Sequence, residues 1–247
     1  MRKTFSILLL IMILFIPVVV FKGTEASQGD VLLRENKTMM KRLSSIQTLE
    51  YLKDIVVLPE DSFDEEEVLQ MINRISKIHP SILEKLVSQN VRLKLFTGIL
   101  TEQTGFTHLK GVKPRGYVRY TWDDVPGAGG SKLVMAKIGH SHKGKGHGSI
   151  NLELHELAHS IDKFAFHSIR DDTKFIEIWK EEAPLLFPAQ PYFINHSEEY
   201  FAESFAMYNL SFFTSSDLFI RAPKTYEYIK SLETLNSTGI NYAVSFK

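Results

Sequence analysis

The longest apolar run lies at the start of the chain. Arg2 and Lys3 precede an almost unbroken hydrophobic stretch from Phe5 to Phe21, Lys22 closes it, and Thr24, Ala26 and Ser27 follow. This order of basic, apolar and small residues predicts a secretory signal peptide over residues 1–26, cut after Ala26. The alternative is an uncleaved anchor, and the run, interrupted by Pro17, sits at the short edge of spanning length. Residues 27–50 are polar with scattered apolar positions (Met39, Met40, Leu43, Ile46), which reads as a flexible start entering a helix. Ile55-Val56-Val57-Leu58 before Pro59 predicts a strand. Ser62 with Glu65 forms a capping-box signature, and Val68, Leu69, Met71, Ile72, Ile75 and Ile78 then recur at helical spacing up to Pro80.

A short helix over 81–88 follows. Val91, Leu93 and Leu95 alternate with Arg92 and Lys94, the pattern of a half-buried strand. Residues 105–130 are rich in Gly, Pro and Asp and read as loop; 133–138 read as a strand, and 139–148 as a Gly/Lys loop. Helical patterns then cover about 150–167, 172–183, 197–210 and 224–235. Strands in the first half and helices in the second predict an α+β fold. It would have a small twisted sheet, N-terminal helices, a helix carrying the site and a helical C-terminal part, in one domain over residues 27–247.

Composition narrows the chemistry. There are 29 basic and 29 acidic residues, nine histidines and no cysteine. Zero net charge leaves no electrostatic footprint for nucleic acid, so none is expected as a partner. Removing residues 1–26 takes Arg2, Lys3, Lys22 and Glu25 with it and leaves a slightly acidic chain. The absence of cysteine excludes disulfides, thiolate catalysis, a lipidated cysteine and thiolate-ligated metal, so a metal site must use His, Asp or Glu. An exported chain without cysteine fits a bacterial product.

His155-Glu156-Leu157-Ala158-His159 is His-Glu-x-x-His. Two histidines four apart share one helix face and can reach one Zn²⁺ together. The glutamate beside them can take a proton from water that zinc has acidified to a pKa of about 7. The plain alternative is a structural helix with two surface histidines. A third ligand is needed. The metzincin positions hold Asp162 and Ala165 instead of Gly and His, and His167 would project away, so another helix must supply it. In the core-facing segment 197–206, Glu199 and Glu203 lie four apart, and one of them can bind metal while the other orients a histidine. His140 and His142 could mimic a metal pair, but a His/Lys/Gly loop is the ordinary reading.

Several motifs together carry a resemblance. Leu109-Lys110-Gly111-Val112, Thr121-Trp122-Asp123-Asp124-Val125-Pro126-Gly127, Gly144-Lys145-Gly146-His147 and Ile150-Asn151-Leu152-Glu153-Leu154-His155-Glu156 resemble the secreted Pro-Pro endopeptidases. Lys174-Phe175-Ile176, Lys180-Glu181-Glu182, Tyr200-Phe201-Ala202-Glu203 and Ala222-Pro223-Lys224-Thr225 resemble the related catalytic domain of anthrax lethal factor. The likeness spans about residues 50–235. It implies a zincin-like fold, one Zn²⁺ held by His155, His159 and Glu199, Glu156 as general base, and Tyr192 donating to the oxyanion. Glu203 and Asp162 are candidates to support the ligands; His147 falls inside the resemblance without a role.

The resemblance also implies a proline-rich protein or peptide substrate, a surface adhesin among them by analogy. It further implies an extracellular, monomeric enzyme with no membrane association after signal cleavage. A Pro-Pro bond lacks the N–H of an ordinary amide, and its flanks favour stiff polyproline II geometry. Trp122 is a candidate wall for such a ligand, with core packing as its ordinary role. Gly129-Gly130-Ser131-Lys132 resembles the family's substrate loop before an edge strand from Leu133, where a peptide backbone can pair. Two departures stand out. The family carries Lys immediately before Thr-Trp, paired with the acid that precedes the third ligand; here these are Tyr120 and Glu198, so that ion pair is expected to be missing. Lys132 stands where an uncharged residue is usual. The rivals are a zinc peptidase with lethal-factor-like, non-Pro-Pro specificity and a non-catalytic binding module of the same fold.

Overall fold

Pairing of short apolar segments builds one sheet, and that sheet decides where the His-Glu-x-x-His helix lies. The computed structural model describes residues 30–115 and 119–235; the signal-peptide reading lies outside them. Among the described residues, no helix is long and apolar enough to cross a membrane. The order of elements is β1 (Val31–Leu32), α1 (Lys37–Arg42), α2 (Leu49–Ile55), β2 (Val56–Leu58), α3 (Glu65–Ile75), α4 (Pro80–Ser88), β3 (Arg92–Phe96), β4 (Gly127–Ala128) and β5 (Leu133–Lys137). Helices follow: α5 (Leu152–Ser160), α6 (Thr173–Leu186), α7 (Pro191–Asn195), α8 (Ser197–Leu210), α9 (Phe212–Arg221) and α10 (Pro223–Ser231). This is the α+β arrangement the patterns predict.

The sheet runs β1-β2-β3-β5-β4. β2, β3 and β5 are parallel, while β1 and β4 are antiparallel to their neighbours. Two expectations change here. β5 is an inner strand, and the edge is β4, with Gly127 opposite Ala136 and Ala128 opposite Met135. The polar loop 129–132 therefore follows the edge strand instead of preceding it. β3 is the middle strand and is covered on both faces, so Lys94, read as its solvent side, is only 5% exposed and pairs with Asp30 at 2.8 Å.

Local signals set the helix starts. α3 is capped by Asp64, whose side chain accepts from Glu67 N, and not by Ser62; three acids in the first turn suit the positive end of the helix dipole. Asn151 caps α5 by accepting from Leu154 N at 3.0 Å. α5 is shorter than its pattern suggested, because it gives way to a π-turn over Ile161–Ala165. The helices α1, α2, α7 and α9 were not separately legible: α1 and α2 are short, α7 is five residues long, and α9 carries few apolar residues on its inner side. α8 is buried nearly all round, through Tyr200, Phe201, Phe205 and Ala206, as a central helix must be. Phe175 of α6 meets its rings, 5.7 Å from Phe201 edge-on. α5 is thus held between the sheet and α8, with Leu152, Leu154, Leu157 and Ala158 fully buried.

Candidate metal centre and its cleft

Helical spacing and one long-range packing contact make the centre. His155 and His159 lie one turn apart on α5, and α8 brings Glu199 against them. Glu199 Oε2 is 3.3 Å from His155 Nε2 and 3.4 Å from His159 Nε2, and the two Nε2 atoms are 3.3 Å apart. A tetrahedral ion with ligands at about 2.0–2.1 Å requires ligand atoms roughly 3.4 Å apart. His155 Nδ1 faces Glu203 Oε2 at 3.0 Å. An ionised carboxylate only accepts, so Nδ1 carries a proton toward Glu203 and Nε2 is the ring atom turned to the centre. Glu203 is itself held, because its other oxygen accepts from Ile150 N at 2.8 Å. Three facing acceptor atoms, two of them from imidazoles, fit a shared divalent cation. Among the described residues this is the one His/Asp/Glu group close enough to hold a metal.

Electrostatics agree. Burial opposes charge on His155, but Glu199 and Glu203 outweigh it and push the imidazole up to about 10. Burial likewise opposes the charge of Glu199, yet the two histidines hold its carboxyl far below the usual range. Positive charge at this centre is strongly favoured.

The centre opens into a cleft of about 530 Å³. Glu156 lines it beside the histidines, and burial raises its carboxyl against the opposing pull of His155 and His159. Tyr192, on α7, lies on the same cleft and is 39% exposed. Edge strand β4 forms the opposite lip and approaches α5 so closely that only glycine fits. A Cβ on Gly127 would lie 2.9 Å from Glu156 Cγ, and one on Gly129 2.1 Å from the Glu156 carbonyl oxygen. The loop after β4 is tied to the same helix, with Ser160 Oγ accepting from Gly130 N at 3.0 Å and donating to the Ser131 carbonyl at 2.7 Å.

The expected substrate residues separate. Trp122, Gly129, Gly130 and Glu198 line the cleft; Ser131 and Lys132 do not. Ser131 Oγ donates into its own loop at Leu133 O, and Lys132 Nζ sits 5.7 Å from the Phe164 ring. Trp122 combines both readings offered for it, since it also packs on the small cluster of Phe96, Leu100, Val125 and Met135. Asp162 does not reach the ligands. It is fully buried and binds Arg170, through its side chain at 2.6 Å and its backbone N–H at 3.0 Å, because the π-turn re-aims it toward the 166–170 return. Glu198 is paired after all, by Arg115 at 2.6 Å, so the cation comes from the preceding loop and not from position 120. Burial works against its charge, while its own N–H and Arg115 hold the carboxyl below the ordinary range.

Other residues at the cleft were missed. Arg115, Lys163 and Arg170 bring positive charge to it; each lies in a loop or turn with no periodic signal. His147 acquires a role: Nδ1 meets Ser149 Oγ at 2.6 Å and Nε2 meets the His140 carbonyl at 2.7 Å, so it braces the 139–148 loop at the cleft wall. Burial lowers its pKa and keeps it neutral for that task. His140 Nδ1 meets Lys145 O at 2.6 Å, and among the described residues His140 belongs to no group close enough to hold a metal.

Comparison with known proteins places this geometry. Residues 42–232 match the family described as anthrax toxin lethal factor, N- and C-terminal domain. A Pro-Pro endopeptidase of Clostridioides difficile (strain 630) is 42% identical over 188 residues, covering 75% of this chain and 84% of that protein. A Pro-Pro endopeptidase of Paenibacillus alvei is 40% identical over 183 residues, covering 73% of this chain and 84% of that protein. The solved structure of the Pro-Pro endopeptidase PPEP-2 from Paenibacillus alvei superposes with a TM-score of 0.71 at 40% identity, covering 74% of this chain and 99% of that one.

Proposed function

The chain belongs to the Pro-Pro endopeptidases, relatives of anthrax lethal factor, and on that premise we propose that it is a zinc metalloendopeptidase cleaving Pro-Pro bonds in proteins outside the cell. The observation that carries the reading is the triangle of His155, His159 and Glu199, with Glu156 beside it on one cleft. His155, His159 and Glu199 would hold the zinc. When bound, it supplies Lewis acidity, bringing the pKa of water down to about 7 and polarising the peptide carbonyl.

The chain's own residues do the rest. Glu156 takes the proton of the attacking water and returns it to the leaving proline nitrogen. Tyr192 donates its hydroxyl proton to the oxyanion, where a donor aimed at developing charge is worth most. Glu203 holds His155 in the tautomer that leaves Nε2 free. The free side of β4 gives an extended substrate a backbone edge, and Gly127 and Gly129 keep that edge low against α5. Trp122 offers an aromatic wall to stiff proline rings.

Export rests on the leader pattern of residues 1–26, and a surface adhesin with a Pro-Pro linker is the substrate class we favour. We read the enzyme as a monomer, as the resemblance implies. Quenched peptides differing only as Pro-Pro or Pro-Ala at one site test the reading. The expected result is chelator-sensitive cleavage of Pro-Pro, lost in Glu156→Ala. Turnover by Glu156→Ala at the parent rate would refute the mechanism, and equal cleavage of Pro-Ala would refute the specificity alone.

A further inference from the structure

One guanidinium nitrogen stands between two adjacent carboxylates at the start of α8. Arg115 Nη2 is 2.6 Å from Glu198 Oε1 and 3.4 Å from Glu199 Oε1. Glu199 therefore divides its two oxygens: Oε2 faces both imidazoles and Oε1 faces Arg115. Both glutamates are largely buried, with side-chain exposures of 15% and 8%, while Arg115 is 57% exposed at the cleft. Among the described residues, no other Lys or Arg lies within ion-pair distance of either carboxylate.

We propose that Arg115 is a positioning residue for the metal centre: by binding Oε1 it holds Glu199 as a one-oxygen ligand, and by binding Glu198 it anchors itself there. The inference rests on the zinc reading above. Without Arg115, two neighbouring acids in the first turn of α8 repel each other across a poorly solvated space. Oε1 is then free to turn toward the imidazoles, which changes the number of donor atoms offered to a metal. Glu198 acts on the centre only through Arg115.

Because a single nitrogen makes both contacts, a point charge of similar reach should serve. Arg115→Gln removes the charge and Arg115→Lys keeps it. In the full chain, zinc affinity by chelator competition should fall about 10–100-fold in Arg115→Gln, the usual size of effect for a group supporting a ligand. The Lys variant should recover most of it. Cobalt-substituted protein should show weaker visible bands in the Gln variant, as coordination number rises, and parent-like bands in the Lys variant. The loss of melting temperature in Arg115→Gln should be larger with zinc bound than in the metal-free protein, a gap that a merely structural role would not produce.

Parent-like zinc affinity and cobalt bands in Arg115→Gln would overturn the proposal while leaving the metal centre intact. A Lys variant no better than Gln would overturn the single-charge account. A parent protein that takes up neither zinc nor cobalt would remove the zinc reading itself, and the proposal with it.

Discussion

Glu203 shows what one side chain contributes here. It accepts from His155 Nδ1 across 3.0 Å, which turns the opposite ring nitrogen toward His159 and Glu199. Glu203→Gln should cost about 10–100-fold in zinc affinity, read by chelator competition, with little change in the fold. Gly129 is a second such residue, because its missing Cβ makes room for the Glu156 carbonyl. Gly129→Ala should displace the β4 lip, lower kcat/KM on a Pro-Pro peptide and cost roughly 1–3 kcal/mol of stability by denaturant unfolding. Asp123 anchors the segment carrying Trp122, accepting from Thr101 Oγ1 at 2.6 Å, Gly111 N at 2.7 Å and Thr121 Oγ1 at 2.9 Å. These donors lower its pKa from 3.8 to about 2. A depressed carboxyl stabilises the fold above its unfolded pKa and loses that contribution as pH falls through its folded value. The parent's melting temperature should therefore drop from about pH 4 to about pH 2 more steeply than that of Asp123→Asn.

At the scale of elements, the contrast between the faces of α9 is the clearest case. Leu218 is fully buried, whereas Phe212, Phe213 and Ile220 are 80%, 82% and 76% exposed. Leu218→Ala should cost about 2–5 kcal/mol, while Phe213→Ser should stay within about 0.5 kcal/mol, both by urea unfolding. The same inversion explains why α9 escaped a periodicity reading: its apolar residues point outward, so their spacing does not report a buried face. α8 was legible at about 197–210, the span it occupies, because it is filled with strong apolar and helix-forming side chains. α5 was legible at its start through its helical pattern from about 150 and the His-Glu-x-x-His spacing. Its π-turn end was not, because a π-turn depends on how Asp162 and the 166–170 return pack.

At the scale of the whole molecule, α5 is the floor of a cleft whose walls come from separate parts of the chain: β4 and the glycines after it, residues 114–115 and 122–126, His147, the 163–170 turn and α7–α8. A metal that ties α5 to α8 at this floor should add to global stability. Chelation should lower the melting temperature and zinc should restore it; at 100 times Kd the linkage is worth about 2.7 kcal/mol. The sequence alone determined the α+β class, the pair of histidines one helical turn apart with a glutamate beside them, and the exclusion of thiolate chemistry. These follow from contacts within one helical turn or from composition, which need no knowledge of the fold. The tertiary structure alone decided that β4 and not β5 is the edge, that Asp162 serves Arg170, and that Glu198 finds its cation in Arg115. Each of these depends on which distant segments the sheet brings side by side, and pairing between residues tens of positions apart leaves no local periodicity to read.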